Sequence, residues 1–498
     1  MAGKGIIATS LLTNLDRATG IPIYHQLCNG LREMIRDGRI VSGTRLPPSR
    51  LFASELKISR NTVLIVYEQL IAEGYLIGRR GDGTYVAEKI PDGLLQVGAK
   101  APASSSTAVK STERNVSSRF DVLDGLSIEF PERPRAFQTG TTAIDEFPIE
   151  LWTKILSHRL RRMPRNFLDY RSPYGYLPLR EAISAHLGSA RGVRCDPDQV
   201  IIVSGSQQAL DVTSRVLFDR GDSIMIEDPC YSGARAAFLC AGIHLIPLPI
   251  DAEGIDLTWA PDVVGKVKAI YVTPSHQFPT GVVMSLSRRR ELLKWADKNS
   301  AWIIEDDYDA EFRYDGKPIS AMQGLDYSGR VIYLGTFSKV LFPSLRIGYL
   351  VLPHDLIAKF ARALAFMTLH TSYLEQVALS DFMHQGHFAK HIRKMRVVYS
   401  ERQHLLVDEI NAHLSEYIDV EPESAGVHLI GHLKERRDAA TFSRHAFEKG
   451  VVATPTSTFS IQHAVPPGLL LGYSGLNGYE IRTGVRRLKA AFDELLNT

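Results

Sequence analysis

A lysine in the segment GTFSKVLFPSLRIGY stands among groups suited to covalent chemistry. Lys339 follows a strand-like run, with Thr336 and Ser338 just before it and Arg346 seven residues after it. A lysine amine can form a Schiff base with an aldehyde. Hydroxyl and guanidinium groups bind the oxygens of a phosphate monoester. Together these residues indicate pyridoxal 5′-phosphate held on Lys339.

Such a cofactor needs an acid that keeps its ring nitrogen protonated, because that charge makes the ring an electron sink. The segment AWIIEDDYDAEF ends a strand-like run in Glu305, Asp306, Asp307 and Tyr308. Of these, Asp306 could pair with the ring nitrogen and Tyr308 could hydrogen-bond the ring hydroxyl. A divalent-metal site and a solvated acidic loop are the alternative interpretations of this cluster.

Three further segments complete the candidate site. In VSGSQQALDV a strand is followed by Gly-Ser and a helix, so Ser206 and Gln207 with the free helix amides form an anion seat. In MIEDPCYSGARAAF, Tyr231 is an aromatic side chain available to stack on a flat ring. In YEIRTGVRRL, Arg482 is a candidate fork for a substrate carboxylate.

The elements that position these residues occupy the C-terminal part of the chain. From residue 126 to 498, strand-like runs alternate with amphipathic helical stretches, which predicts an α/β domain with a mostly parallel sheet. Ligands in such folds bind beyond the carboxyl ends of the strands, where the polar residues lie. The runs are QVIIVSG, DSIMIEDP, VKAIYVTP, AWIIEDD, RVIYLGTFS and RIGYLVLP.

The first 88 residues predict a different unit, made of three helices and a hairpin. Apolar residues recur at helical spacing in IPIYHQLCNGLREMIRDG; a second helix should begin near Pro48 and a third at the N-cap Ser59. The segment YLIGRRGDGTYVAE predicts two short strands around a glycine turn. Residues 89–125, rich in Ser, Ala and Thr, predict a flexible linker, with an ordered surface loop as the alternative.

The net charge of +3 is unevenly distributed. Residues 1–90 hold 12 Lys and Arg against 8 Asp and Glu, whereas the remainder holds 46 against 47. The basic excess therefore lies at the N-terminal end, which permits a nucleic-acid partner without requiring one.

The order of helices and hairpin is the pattern of a winged helix-turn-helix, whose recognition helix enters the major groove by its N-terminal end. Side chains at that end can read base edges, and arginines on the preceding helix and at the wing tip can reach phosphates. The candidate DNA contacts are Arg45, Arg50, Arg60, Asn61, Thr62, Arg79 and Arg80.

The pieces LPPSR and SRNTVLIVYEQLIAEGYL resemble the DNA-binding domain of GntR-type regulators. The resemblance implies a small set of DNA contacts, namely Arg50, Arg60, Asn61, Thr62, Arg80 and Gly81.

The order of the C-terminal motifs resembles fold type I aminotransferases over roughly residues 130–498. The resemblance implies Lys339 as the Schiff-base lysine, with cofactor contacts from Ser206, Gln207, Tyr231, Asp306, Tyr308, Ser338 and Arg346, and Arg482 for a carboxylate. One departure stands out: the loop TPSHQFPTGVVMS has Phe278 where these enzymes usually have Asn before Pro-Thr-Gly. A phenyl group cannot donate to the ring oxygen, which leaves His276 or Gln277 as candidate replacements.

The two units on one chain resemble the MocR/GabR family of bacterial regulators, most closely in SHQFP, EDDYDAEF and GTFSKVLFPSLRIGY. The resemblance implies a multidomain fold: a winged helix-turn-helix in residues 1–88, a linker in 89–125, and an aminotransferase-like domain with a small C-terminal lobe in 126–498. It implies a regulator that binds operator DNA and senses an amine or amino acid by external aldimine formation at Lys339. A head-to-tail homodimer in the cytoplasm is implied as well.

Two other functions fit the same residues. The chain could be a working aminotransferase that carries a DNA-binding head, or a DNA-binding protein whose C-terminal domain is an empty scaffold. The sequence leaves open the effector, for which γ-aminobutyrate, taurine, an ectoine-derived amine, a rhizopine-like amine and pyridoxal phosphate itself all fit.

Composition excludes several classes of protein. The 498 residues are 44% hydrophobic and 23% charged, which excludes a wholly disordered chain. The sequence contains no uncharged apolar run of about 18 residues, the length that a membrane-spanning helix needs. The N-terminal residues fit a signal peptide poorly. The four cysteines form no CxxC pair, which argues against a zinc ribbon or a disulfide scaffold and fits a reducing cytoplasm.

Overall fold

The computed structural model describes residues 20–79, 81–88, 117–126, 135–261, 266–316, 319–434 and 438–496. The chain divides into two compact units, Met1–Asn115 and Val116–Thr498.

Three helices and a hairpin make up the described part of the first unit, as the sequence predicts. The helices are α1 (Ile23–Arg36), α2 (Ser49–Leu56) and α3 (Arg60–Ala72), and the strands are β1 (Leu76–Arg79) and β2 (Gly83–Val86). Ser59 caps α3, since its Oγ accepts a hydrogen bond from the Thr62 amide at 3.0 Å. The apolar faces of the three helices bury one common core, with Leu31, Phe52 and Val63 fully enclosed.

The second unit contains a large α/β lobe and a smaller C-terminal lobe. Its helices are α4 (Ile149–Arg162), α5 (Leu177–Arg191), α6 (Ser206–Leu217), α7 (Ser232–Cys240), α8 (Leu286–Asn299), α9 (Met322–Leu325), α10 (His354–Thr368), α11 (Tyr373–His384), α12 (His387–His413), α13 (Ala439–Glu448) and α14 (Gly478–Leu496). Its strands are β3 (Val200–Val203), β4 (Ser223–Asp228), β5 (His244–Asp251), β6 (Gly254–Ile255), β7 (Val267–Val272), β8 (Trp302–Asp307), β9 (Val331–Thr336), β10 (Gly348–Val351), β11 (Ile418–Asp419), β12 (His428–Leu433), β13 (Thr454–Pro455) and β14 (Gly468–Gly472).

The large lobe is built on an eight-stranded sheet in the order β3-β10-β9-β8-β7-β4-β5-β6. The five strands β9, β8, β7, β4 and β5 run parallel. Successive residues of β8, such as Ile303 and Ile304, join different apolar clusters, so both faces of the sheet are covered. This explains why the strands are continuous apolar runs rather than alternating ones, and it confirms the mostly parallel sheet.

The antiparallel strand β10 determines where the site lies. Gly348, its first residue, pairs with Val203 at the end of β3 and with Thr336 at the end of β9. Arg346, just before β10, is therefore brought to the segments that follow β3 and β9. These segments begin α6 and carry Lys339.

The small lobe packs α12, α13 and α14 with an antiparallel sheet in the order β11-β12-β14-β13. Of the predicted linker, residues 89–116 lie outside the described residues, and Ser118–Leu123 forms a short 3-10 helix. Among the helices of the described residues, none combines the length and apolar character of a membrane span.

Candidate functional sites

Lys339 lies in the turn after β9 and contacts a carbonyl far away in sequence. Its Nζ donates a hydrogen bond to the Gly140 oxygen at 3.0 Å. Gly140 has a φ of +83°, and a Cβ there would lie 2.7 Å from Nζ, so glycine leaves room for the amine. Burial, with the nearby Arg346 guanidinium, lowers the pKa of Lys339. This shift favours the neutral, nucleophilic amine.

An anion seat lies at the ends of β3 and β9. Arg346 donates from Nη2 to the Ser204 oxygen at 2.8 Å, and a Cβ on Gly205 would lie 3.2 Å from Nη1. Ser206 begins α6, whose first amides have no partner within the helix. Ser338 Oγ is buried and has no hydrogen-bond partner in the described part of the chain. A guanidinium, free amides and a free hydroxyl together suit a phosphate group.

Gln207 takes part in this seat differently from the sequence prediction. Its side-chain Nε2 donates to the Gly233 oxygen at 2.9 Å. The side chain is therefore engaged beside α7, and what Gln207 offers a phosphate is its backbone amide at the start of α6.

Asp306, the second-last residue of β8, has one carboxylate oxygen engaged and the other free among the described residues. Oδ2 accepts a hydrogen bond from the Tyr271 hydroxyl at 2.8 Å. Oδ1 is buried and has no hydrogen-bond partner among the described residues. Burial raises the pKa of Asp306 to about 7, although the Tyr271 hydrogen bond opposes the shift. A protonated ring nitrogen would supply the missing donor and stabilise the carboxylate.

The neighbouring acids have other partners. Glu305 accepts hydrogen bonds from the amides of Met322 and Gln323 at 2.8 and 2.9 Å. Asp307 binds Arg191 Nε at 3.0 Å and the Tyr333 hydroxyl at 2.6 Å. Within the described residues, no group of His, Cys, Asp and Glu side chains is arranged to hold a metal ion.

Tyr308 is positioned by a buried histidine. His276 Nδ1 lies 3.0 Å from the Tyr308 hydroxyl and 2.9 Å from Asp309 Oδ2, while Nε2 lies 3.0 Å from Glu423 Oε2. Burial opposes the charged imidazole, but the two carboxylates outweigh it and raise the pKa of His276 to about 10. Burial also raises the pKa of Tyr308 well above its usual value. Tyr308 is therefore a neutral hydroxyl that is able to donate its proton, while the single Nδ1 proton of His276 faces both the Tyr308 oxygen and Asp309.

Phe278 lies between two of the predicted cofactor contacts. Its ring is edge-on to Tyr231 and to Tyr308, with centroids 5.8 and 6.1 Å apart. Gln277 cannot replace the missing asparagine, because its Nε2 donates to the carbonyls of Pro229 and Phe278 and its Oε1 accepts from Thr280. His276 can act only through Tyr308 in this arrangement.

Arg482 is engaged by an acid in this structure. It lies on α14 with its side chain about half exposed, and its Nε donates to Glu409 on α12 at 3.2 Å. The carboxylate fork stays a prediction.

Replacing Arg482 by alanine should leave cofactor retention unchanged. The variant loses the exposed ion pair with Glu409. Such a pair contributes only about 0–1 kcal/mol to stability, so the fold that holds the cofactor should persist. Visible absorbance of the purified variant measures cofactor retention, and effector titrations test the fork. A selective loss of affinity for carboxylate effectors would support the role predicted from the sequence, and unchanged affinity would contradict it.

Asp306 also predicts a pH dependence in the cofactor-free protein. A carboxyl that titrates near 4 in the unfolded chain and near 7 in the folded one binds a proton on folding between those values. The free energy of unfolding therefore falls as pH rises through this range. The Asp306→Asn variant, which cannot titrate, should gain melting temperature relative to wild type from about pH 5 to about pH 8. A constant difference between Asp306→Asn and wild type across this range would contradict the prediction.

The predicted reading end of the first unit is exposed. Arg60 and Asn61 begin α3 in exposed positions, and Arg60 Nε donates to Ser49 Oγ at 3.3 Å. Arg50 is exposed on α2. Thr62 is partly committed to the fold, because its hydroxyl lies 2.9 Å from the capping Ser59 Oγ.

Arg45 contacts the hairpin turn. Its guanidinium donates to the Asp82 carbonyl and lies 3.9 Å from the Asp82 carboxylate. A Cβ on Gly83 would lie 3.0 Å from its Nε. Gly81 forms the turn with a φ of +80°, and the Arg79 guanidinium lies over the Tyr85 ring. Arg80, a predicted contact, lies outside the described residues.

Two site residues were missed in the sequence. Gly140 lies in FQTGTT, 199 residues before Lys339, and only the tertiary fold brings the two together. Tyr271, which donates to Asp306, is a tyrosine within the otherwise apolar strand run VKAIYV. A hydroxyl buried in a central strand needs a hydrogen-bond partner, so the sequence already indicates that Tyr271 bonds to a nearby polar group.

Comparisons with known proteins identify both units. Residues 23–86 match the family model of bacterial regulatory proteins of the gntR family, and residues 143–487 match that of aminotransferase class I and II. The chain is similar to the probable rhizopine catabolism regulatory protein MocR of Rhizobium meliloti, with 39% identity over 96% of this chain and 95% of that protein. It is 34% identical to an uncharacterized HTH-type transcriptional regulator of Bacillus subtilis, YdeL, over 96% of this chain and 98% of the relative.

Among solved structures, the chain is similar to the kynurenine aminotransferase of Pyrococcus horikoshii, determined with PMP and kynurenine. The identity is 30%, the TM-score is 0.67, and the match covers 78% of this chain and 98% of that one. The large sheet and the small lobe therefore have the architecture of fold type I aminotransferases.

Proposed function

Because the chain belongs to the MocR-type regulators, which join a GntR DNA-binding domain to an aminotransferase class I and II domain, we propose that it is a pyridoxal phosphate-dependent transcriptional regulator. It binds operator DNA through its winged helix and senses an amine or amino acid that displaces Lys339 from the cofactor. The observation that carries the proposal is the group formed by Lys339, the free Oδ1 of Asp306 and the free Oγ of Ser338.

The residues fit pyridoxal phosphate at both of its ends. Ser338, Arg346 and the first amides of α6 would hold the phosphate, and Asp306 would hold the protonated ring nitrogen. Tyr231 would stack on the ring, and its pKa is raised by burial and by the nearby Asp306. Tyr308 would donate to the ring hydroxyl. When bound, the cofactor supplies an aldehyde carbon that primary amines attack.

Lys339 and Gly140 supply the element that responds to the effector. When an amine displaces Lys339, the lysine Nζ returns to the Gly140 carbonyl, to which it donates a hydrogen bond in this structure. The segment around Gly140 is held to the small lobe, because Ser474 Oγ donates to the Thr141 oxygen at 2.8 Å and Arg402 binds both Asp145 and the Ser474 carbonyl. A ligand shifts DNA affinity only through its different affinity for two states of the domain, and we propose that making and breaking this connection distinguishes those states.

A homodimer is part of the proposal. Four large apolar side chains, Leu168, Tyr170, Phe366 and Leu369, have exposed fractions of 81, 77, 89 and 53%. The Tyr170 ring lies 6.3 Å from that of His370, which follows Leu369, and we propose that the four side chains form one apolar patch. Large exposed apolar patches mark interaction sites. The patch adjoins the phosphate seat, since Thr368 Oγ1 accepts a hydrogen bond from Gln208, which itself binds the Ser204 amide. A partner subunit seated here in a head-to-tail dimer would border the cofactor site, and we place this dimer in the cytoplasm.

A working aminotransferase with a DNA-binding head is the second candidate, favoured by the complete pair of Lys339 and Asp306. Steady turnover of an amino acid and a keto acid would support it. We expect at most a single half-reaction, because Phe278 replaces the amide that enzymes of this fold place beside the ring oxygen.

The proposal is tested by screening amines and amino acids against the purified full chain. A compound that shifts the visible absorbance should also change the affinity of the same sample for its operator, measured by fluorescence anisotropy. Absence of cofactor absorbance, or of sequence-selective DNA binding, would overturn the proposal.

A further inference from the structure

A cavity of about 470 Å³ lies in the second unit, separate from the turn that carries Lys339. It is lined by the end of α5, the loop after β8 and the first half of α12, and it opens to solvent. Ile392, Val397 and Ala310 give it apolar walls. This volume lies within the range of small-molecule sites, about 300–1,000 Å³, and such sites combine apolar walls with a few fixed polar groups.

Two guanidinium groups line the cavity without an ion pair to any described residue. Among the residues that the structure describes, neither Arg313 nor Arg396 has a carboxylate within ion-pair distance. Arg396 Nε donates to the Glu311 carbonyl at 2.6 Å. Arg313 Nε is buried with no hydrogen-bond partner in the described part of the chain. A buried donor without a partner costs free energy, which a ligand acceptor would recover.

The other charges of the cavity are engaged or lie at its rim. Arg191 binds Asp307 at 2.9 Å. The Glu311 carboxylate lies 3.6 Å from His186 Nε2. Glu401 is exposed on α12. The cavity therefore offers Arg313 and Arg396 to a ligand. Guanidiniums bind carboxylates in a planar, bidentate geometry, and the apolar walls suit an organic acid.

A second, small cavity of about 10 Å³ lies beside this space. It shares Arg191, Ala310 and Arg313 with the large cavity, and His276 and Asp309 also line it. A ligand at Arg313 would thus lie near the pair that positions Tyr308.

We propose that the large cavity is a second ligand site that binds a small carboxylic acid, with its carboxylate on Arg313 and Arg396 and its apolar body against Ile392 and Val397. The site is distinct from the effector position at Lys339, and it does not depend on the cofactor.

Isothermal titration calorimetry of the full chain tests this with benzoate as the probe and benzamide as its neutral counterpart. Benzoate should bind the wild type, and its affinity should fall about tenfold in Arg313→Gln and in Arg396→Gln, because each removes a charge-assisted hydrogen bond. Arg393→Gln, an exposed arginine on the same helix, is the matched control and should bind like the wild type.

The Lys339→Ala variant separates the two sites, since benzoate should bind it with unchanged affinity. Loss of benzoate binding in Lys339→Ala would place the probe at the effector position and overturn the proposal. It would also be overturned by equal binding of benzamide, by unchanged affinity in Arg313→Gln, or by no benzoate binding at all. Because none of these measurements needs cofactor or DNA, failure here is distinguishable from failure of the proposed regulator.

Discussion

Lys339→Ala is expected to lose the covalently held cofactor completely and, with it, the response of operator binding to any amine. The site favours the neutral, nucleophilic amine of Lys339, because burial and Arg346 lower its pKa and Gly140 leaves space for Nζ. Alanine cannot form the bond, so an added amine has nothing to displace. Visible absorbance after gel filtration and operator titrations with and without effector measure the two losses.

The exposed Lys359→Ala on α10 is the matched control, since it removes the same charge away from the site. It should retain absorbance and effector response. Operator binding without effector should survive in Lys339→Ala, because the first unit has its own core. An effector response that persists in Lys339→Ala would refute covalent sensing.

Arg60→Ala is expected to weaken operator binding by about 1–3 kcal/mol, or about 5- to 150-fold. Arg60 begins α3 in an exposed position, where a recognition helix meets base edges, and Ser49 orients its guanidinium. Anisotropy titrations with the operator and with a scrambled duplex measure the loss. A base contact should reduce affinity for the operator more than for the scrambled DNA.

The control is Arg39→Ala, an exposed arginine of the same unit that is paired with Asp37. It changes the net charge equally, so any general electrostatic loss appears in both variants. Equal losses in the two variants, or equal losses on both duplexes, would show that Arg60 makes no base contact.

The parts of the fold that follow from local sequence were predictable. Ser59 caps α3 because a serine before an apolar helical run satisfies the first amides. The strand that carries Asp306 was predictable because a continuous apolar run followed by acids indicates a buried parallel strand. Lys339, Asp306 and Ser338 meet because parallel strands end at one edge of the sheet, and Arg346 joins them because the antiparallel β10 begins at that edge.

Contacts between segments that lie far apart along the chain could not be predicted from the sequence. The partner of Lys339 is a backbone carbonyl, which any residue possesses, so no side-chain type identifies Gly140. The sequence predicts a carboxylate-binding role for Arg482 from its order along the chain. Whether an arginine binds a ligand or a neighbouring acid depends on helix packing. In this structure Arg482 forms an ion pair with Glu409 on α12. The sequence predicts a DNA phosphate contact for Arg45 because of its charge. In the structure the Arg45 guanidinium donates a hydrogen bond to the Asp82 carbonyl in the hairpin turn.

The most direct test of covalent sensing is borohydride reduction of the cofactor-loaded protein, which makes its bond to Lys339 unexchangeable. The same effector titration is then followed by operator anisotropy before and after reduction. We predict that reduced protein binds operator like the untreated protein and no longer responds to the amine. A reduced protein whose operator affinity still changes with effector would contradict the central claim that displacement of Lys339 is the switch.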